Sequence, residues 1–196
     1  MDATLVVEVA SFLVFLLLSA FFSSSETALT SVGKLHARKL RENDSLASPL
    51  DVWIENPNRI LATLLVGNNI ANVGASILSA FIVAHLFEKF GLAHYQGVAG
   101  LVAFVGTTSA LLVFGEIIPK IYAKQHPERL APRAARLLNL LYAFPLKPVI
   151  LFFLGVSNAV VRLFGGAASK EGPFLTQDDI KLLIEVSEKE GVLEEE

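Results

Sequence analysis

Three runs of this chain are longer and more apolar than a soluble domain of this size can bury. Leu5 to Phe22 holds a single charge, Glu8, near its outer end; the stretch after Arg59 stays uncharged to Phe87; Gly100 to Phe114 carries no charge at all. Crossing ~30 Å of hydrocarbon takes ~20 such residues, and only helices or closed barrels satisfy their own backbone there. With 53% hydrophobic residues and a mean hydropathy of +0.56, the chain reads as an all-α membrane protein. Its predicted spans cover about 4–31, 58–87 and 97–122. The N-terminus lacks a basic region and a small-residue cleavage site, so the first run is a retained span. Net charge −3 and no basic cluster interleaved with aromatics speak against nucleic acid. The absence of cysteine removes disulfides, thiolate metal sites and cysteine catalysis. No internal repeat is visible, so two-fold symmetry is expected from a homodimer.

Each span is interrupted by a polar knot. In the first, Ser23-Ser24-Ser25-Glu26-Thr27 follows the apolar run, and Ser19 and Ser23, four apart, share a helical face. Membrane serines most often bond back to the carbonyl of residue i−4 or glue neighbouring helices. In the second, Asn68, Asn69 and Asn72 follow Gly67; three amides in an apolar run are costly unless satisfied. Interhelical hydrogen bonding and one wall of an ion site both answer that cost. In the third, Gly115-Glu116-Ile117-Ile118-Pro119-Lys120 ends the uncharged run. Pro119 removes a backbone donor and disfavours α-geometry at Ile118, so the helix should break or bulge. A carbonyl freed beside the Glu116 carboxylate makes a hard-oxygen cation site. The plainer alternative is an interfacial ion pair between Glu116 and Lys120 at i and i+4. Three knots at comparable depth in three helices favour the ion site.

The rest of the chain orients these spans. Lys34–Arg41 is basic, Pro49–Glu55 reads as a short interfacial helix anchored by Trp53, and Asn56-Pro57 as the start of the second span. The Lys34–Arg59 loop has five Lys or Arg, the loop from His85 to Gln96 only Lys89, and Lys120–Lys147 has six. The positive-inside bias places the N-terminus outside and the basic stretches in the cytosol, in a cytoplasmic (inner) membrane. About 126–164, with Pro145, Lys147 and Pro148, is expected to lie in one leaflet as a helical belt rather than to cross. That completes a transmembrane module over 1–165. Residues 166–196 are a cytosolic linker and helix, with Thr176-Gln177-Asp178-Asp179 as an N-cap followed by acids. The chain stops at Glu194-Glu195-Glu196, and a soluble part is expected beyond it.

Three segments stand together: Leu18-Ser19-Ala20-Phe21-Phe22-Ser23-Ser24-Ser25-Glu26-Thr27-Ala28-Leu29, Thr63-Leu64-Leu65-Val66-Gly67-Asn68-Asn69, and Gly115-Glu116-Ile117-Ile118-Pro119-Lys120. In this order and spacing they resemble the transmembrane module of the CorC/cyclin-M (CNNM) family of magnesium transporters, from about residue 4 to the end. The tail from Leu175 resembles the segment leading to that family's paired cytosolic CBS domains, which this sequence does not contain. The resemblance implies a homodimer in the lipid bilayer that exports Mg²⁺ coupled to Na⁺ influx, with ATP acting only through the CBS domains. It also implies three spans and a juxtamembrane belt. Carried over by position, Ser19 and Ser23, Asn68, and Glu116 with the carbonyl of Gly115 are the metal ligands. Asn69, Asn72, Glu26 and Lys120 are candidates for the coupling ion or for support around the site. Ser24 departs from the family pattern, where glycine is common.

Two other classes compete. A Mg²⁺-sensing scaffold or a Mg²⁺ channel would bind the ion without coupled transport. An intramembrane hydrolase would find serines and carboxylates here but no histidine within a span: His36, His85, His94 and His126 fall in loops or at membrane edges. The chain is read as a transporter and not as an enzyme.

Overall fold

A computed structural model describes residues 3–43 and 45–163. The chain divides into two units, Met1–Leu151 and Phe152–Glu196. Every regular element among the described residues is helical. The predicted tail helix from Thr176 lies outside the described residues.

Helix α1 runs from Ala3 to Asn43, with one non-helical residue, Gly33, at φ 63 and ψ 170. Glycine takes a positive φ without a side-chain penalty, so the helix bends at Gly33, close to the expected end of the span at about residue 31. Beyond Gly33 the structure differs from the expectation: the basic stretch from Lys34 is helical, not a loop. Its Arg41 Nε donates to both carboxylate oxygens of Asp51, at 3.0 and 3.1 Å. A 3-10 turn, Ser45–Leu50, leads into α2, Asp51–Glu55. Trp53 in α2 is 5% exposed and belongs to the main apolar cluster. The expected interfacial anchor is therefore a core residue.

Helix α3, Pro57–Lys89, starts with Pro57 in its first turn, although the Asn56 side chain makes no cap. It packs along α1 through two ring-into-glycine contacts. A Cβ on Gly67 would run into the Phe22 ring, and one on Gly74 would stand 2.6 Å from Phe15 Cε1. Phe15 and Phe22 are seven residues apart, as are Gly67 and Gly74, so the contacts repeat after two turns. Small residues let membrane helices approach closely where apolar burial alone provides little drive.

The third span is built in three pieces: α4, Gln96–Ala110; a π-helical turn, Leu111–Ile117; and α5, Ile118–Gln125. The interruption expected from Pro119 is present as this wide turn, which begins eight residues before the proline. Helix α4 packs against α3, whereas the π turn and α5 pack against α1.

Helix α6, Pro127–Leu141, buries Ala131, Ala134, Ala135 and Leu138 and packs chiefly on α1. Arg59 of α3 fastens it further. Its Nη2 donates to Asn139 Oδ1 at 2.7 Å, and its guanidinium lies 3.9 Å from the centre of the Tyr142 ring. Within Tyr142–Leu146 the backbone of Phe144 is extended (φ −159, ψ 124), and α7, Lys147–Leu163, comes next. Among the described residues four helical stretches are long and apolar enough to cross a membrane, the fourth being Pro127–Phe153. That is one more than the three expected, and this fourth stretch is the one broken at Phe144. In the second unit the described residues form the end of α7, where Phe152 and Phe153 are exposed and meet edge to face at 5.5 Å.

Candidate ion site

The polar knot of α1 divides sharply. Ser24 and Ser25 both donate to the carbonyl of Phe21, at 3.0 and 2.6 Å, and Thr27 donates to the carbonyl of Ser23 at 3.1 Å. These side chains satisfy themselves on their own helix, as serine and threonine in membrane helices commonly do. Ser19 and Ser23 do not. Both are buried, at 0% and 1% exposure. Ser19 reaches across to α3, and the Ser23 Oγ, though buried, has no hydrogen-bond partner among the described residues.

The Ser19 hydroxyl donates to Asn72 Oδ1 at 2.7 Å, and Asn68 Oδ1 lies 3.5 Å away. Three oxygens thus face one another with a single proton among them, since a serine hydroxyl donates once. Such a surplus of lone pairs suits a cation. On its other side Ser19 abuts the π turn: a Cβ on Gly115 would lie 2.8 Å from Ser19 Oγ and 3.3 Å from its Cβ. Only glycine lets the third span's backbone approach this closely. The two ring-into-glycine contacts bracket Ser19 along α1, Phe15 one turn before it and Phe22 one turn after, so the packing sets the reach from Ser19 to Asn72.

The sequence candidates sort accordingly. Ser19, Asn68, Asn72 and Gly115 are brought together. Ser23 is one turn along the same α1 face. Glu116 follows Gly115 in the π turn, is half-buried, and has no hydrogen bond or ion pair among the described residues. The alternative Glu116–Lys120 pair is not formed. Lys120 Nζ stands 3.6 Å from Glu26 Oε2 instead, in a pair that is about half exposed and contributes little stability. That pair ties α5 to α1, outside the oxygen cluster. Asn69 is exposed and donates to the carbonyl of Leu65 at 2.8 Å, so it faces away from its neighbours Asn68 and Asn72. Among the described residues no group of three His, Cys, Asp or Glu could hold a metal, and the groups gathered on Ser19 are neutral oxygens.

The third span carries a further signal that motif spacing alone misses. Its Ala99, Ala103, Thr107, Gly115 and Ala123 are buried, at intervals of four or eight residues. A face repeating every four residues drifts about 40° per step on an α-helix, and a turn wound wider takes part of that drift back. The repeat therefore announces the π turn that proline alone only hints at. Thr107, whose buried Oγ1 has no partner among the described residues, is likewise absent from the sequence candidates.

Helices long and apolar enough to cross a membrane, with many large apolar side chains on their exposed faces, define a multi-pass helical membrane protein. Residues 10–196 match the family described as the cyclin M transmembrane N-terminal domain, and the chain belongs to that CNNM family. Among its relatives are a UPF0053 protein of Synechocystis (31% identical over 96% of this chain and 44% of the relative) and the UPF0053 inner membrane protein YfjD of Escherichia coli (29%, 74% and 31%). A third is the polyamine export protein of Haemophilus influenzae (31%, 91% and 42%). The chain spans less than half the length of these relatives.

Proposed function

We propose that this domain transports Mg²⁺ across the cytoplasmic membrane, exporting it in exchange for Na⁺ as a homodimer. The observation that carries the reading is the oxygen cluster on Ser19: two amide oxygens and one hydroxyl converge from two helices, against the backbone of a third, with one proton to share. Mg²⁺ takes six oxygens at ~2.0–2.1 Å, so adjacent ligand oxygens lie about 2.9 Å apart by octahedral geometry. Ser19 Oγ and Asn72 Oδ1 stand 2.7 Å apart, the length of an ordinary O–H···O hydrogen bond, and in this reading the ion replaces the proton between them. Ser23, buried and unpartnered among the described residues, supplies a further hydroxyl on the same face; the Gly115 carbonyl and Glu116 complete the set. One carboxylate leaves the loaded site at net +1, which keeps affinity modest, and a transporter must also release its ion. Asn72, itself a member of the cluster, is the best placed of the candidates for a coupling-ion role, with Asn69 exposed and Glu26 paired to Lys120. The broken fourth stretch, with its alanine face on α1, serves in this reading as the belt on the cytosolic side.

Ser23→Ala is expected to lower Mg²⁺ affinity several-fold, whereas Ser25→Ala, which removes only a bond to the Phe21 carbonyl, leaves it unchanged. Isothermal titration of both variants checks this; equal losses would contradict the division of the serine knot.

A polyamine is the rival cargo, since one relative is named for polyamine export. Such a cation is long and carries several ammonium groups, each wanting its own acceptor set, while the cluster on Ser19 is compact and built of neutral oxygens. Flux in proteoliposomes decides. Mg²⁺ movement that accelerates with an opposing Na⁺ gradient, and that excess spermidine does not inhibit, supports the proposal. Conductance indifferent to Na⁺ would mean a channel, binding without flux a sensor, and preferential spermidine movement the rival cargo.

A further inference from the structure

We infer that the crevice between α1 and α6 binds one anionic phospholipid, its phosphate on Arg133 and an acyl chain along Leu137 and Leu140. The crevice has a volume of about 160 Å³ and is lined mainly by Phe21, Ser24, Ser25, Leu130, Arg133 and Leu137. Its polar inventory is one-sided. Ser24 and Ser25 both give their protons to the Phe21 carbonyl, so neither has a donor left for an anion. Arg133 is exposed and makes no hydrogen bond or ion pair among the described residues. The acid nearest to it in sequence, Glu128, is paired with His36 at 3.0 Å, and among the residues lining the crevice Arg133 is the cation. Arg133 is thus a planar cation with unspent donors, suited to two phosphate oxygens at once.

The helix around it has the polarity of a lipid. Residues 133, 137 and 140 fall on one stripe of α6, so the stripe passes from cationic to apolar, and Leu137 and Leu140 are 48% and 65% exposed. A free phosphate would meet one cation and apolar walls; a phospholipid satisfies both ends. The charge balance agrees, with six basic residues against one acid over Lys120–Lys147. That is the composition that draws a protein edge to an anionic leaflet. This site is separate from the oxygen cluster and does not depend on what ion is carried.

The test is native mass spectrometry of the purified protein titrated with phosphatidylglycerol or phosphatidylcholine, alongside thermal unfolding in each lipid. One phosphatidylglycerol per chain is expected to survive detergent exchange, and phosphatidylcholine to be lost. Arg133→Gln should weaken phosphatidylglycerol about five-fold, the value of one basic residue at an anionic surface, and Arg133→Lys should retain much of the affinity. Lys124→Gln, an equal loss of charge outside the crevice, should change it little. Leu137→Asp tests the acyl end without removing the cation, and should also weaken binding; it decides the matter if Arg133→Gln fails to fold. Equal losses in Arg133→Gln and Lys124→Gln would overturn the site in favour of diffuse attraction. Equal retention of the two lipids, or the same stabilisation from inorganic phosphate alone, would overturn it too.

Discussion

Glu116→Ala is expected to abolish the Mg²⁺-dependent rise in thermal stability. At free Mg²⁺ of 100 times the dissociation constant, a one-site protein gains about 2.7 kcal/mol. Removing the one carboxylate of the proposed site should cost about a hundred-fold in affinity, as sites of this kind scale steeply with ligand charge. At the same Mg²⁺ concentration the gain then falls to about 0.4 kcal/mol, near the limit of detection in a melt. Glu116→Gln separates charge from shape: it keeps a carbonyl oxygen and should bind between the two. An undiminished Mg²⁺ shift in Glu116→Ala would remove this residue from the site. The absence of a Glu116–Lys120 pair is what makes the experiment clean, because the substitution breaks no ion pair among the described residues.

Gly67→Ala carries the second large effect, on folding. Three atoms of the Phe22 ring would lie within 3 Å of the new methyl, and that ring is only 5% exposed and leans edge-on against Phe21 at 5.3 Å. Overpacking of this kind typically costs ~1–3 kcal/mol, and here the upper end is expected, since helix separation must give where the ring cannot. Thermal unfolding in detergent measures it. The double variant Gly67→Ala with Phe22→Leu should recover a good part of the loss, a coupling expected only of residues in contact. An unchanged melting temperature in the single variant would show that α1 and α3 do not meet through this pair. Because Asn68 adjoins Gly67, the single variant should also weaken Mg²⁺ binding.

The spans were legible because each rests on a long uncharged run, a property of composition alone, and the interruption of the third span was legible because Pro119 forces one. What composition does not carry is the rotation of one helix against another. Asn68 and Asn72, four apart, share a helical face with Asn69 beside it, yet spacing does not say that Asn72 meets Ser19 while Asn68 stands at the margin and Asn69 turns out. That sorting depends on Phe15 and Phe22 seating on Gly74 and Gly67. Their matched spacing of seven is present in the sequence, but rings and glycines at helical spacing occur in many helices that never pair. Lys120 illustrates the same limit. Spacing along its own helix offered Glu116, and the fold supplied Glu26 from another. Trp53 was assigned to the membrane edge by residue type, and packing took it into the core instead.

The wide turn at Leu111–Ile117 lies where the third span changes partner, from α3 to α1. An α-helix advances about 100° per residue, so each residue absorbed by a looser winding shifts the phase of everything beyond it. Thr107 on one side and Ala123 on the other are both turned inward, although a uniformly wound rod would point them about 160° apart. Those seven residues work as a vernier between the two halves of the span, and Gly115 and Glu116 sit on its scale.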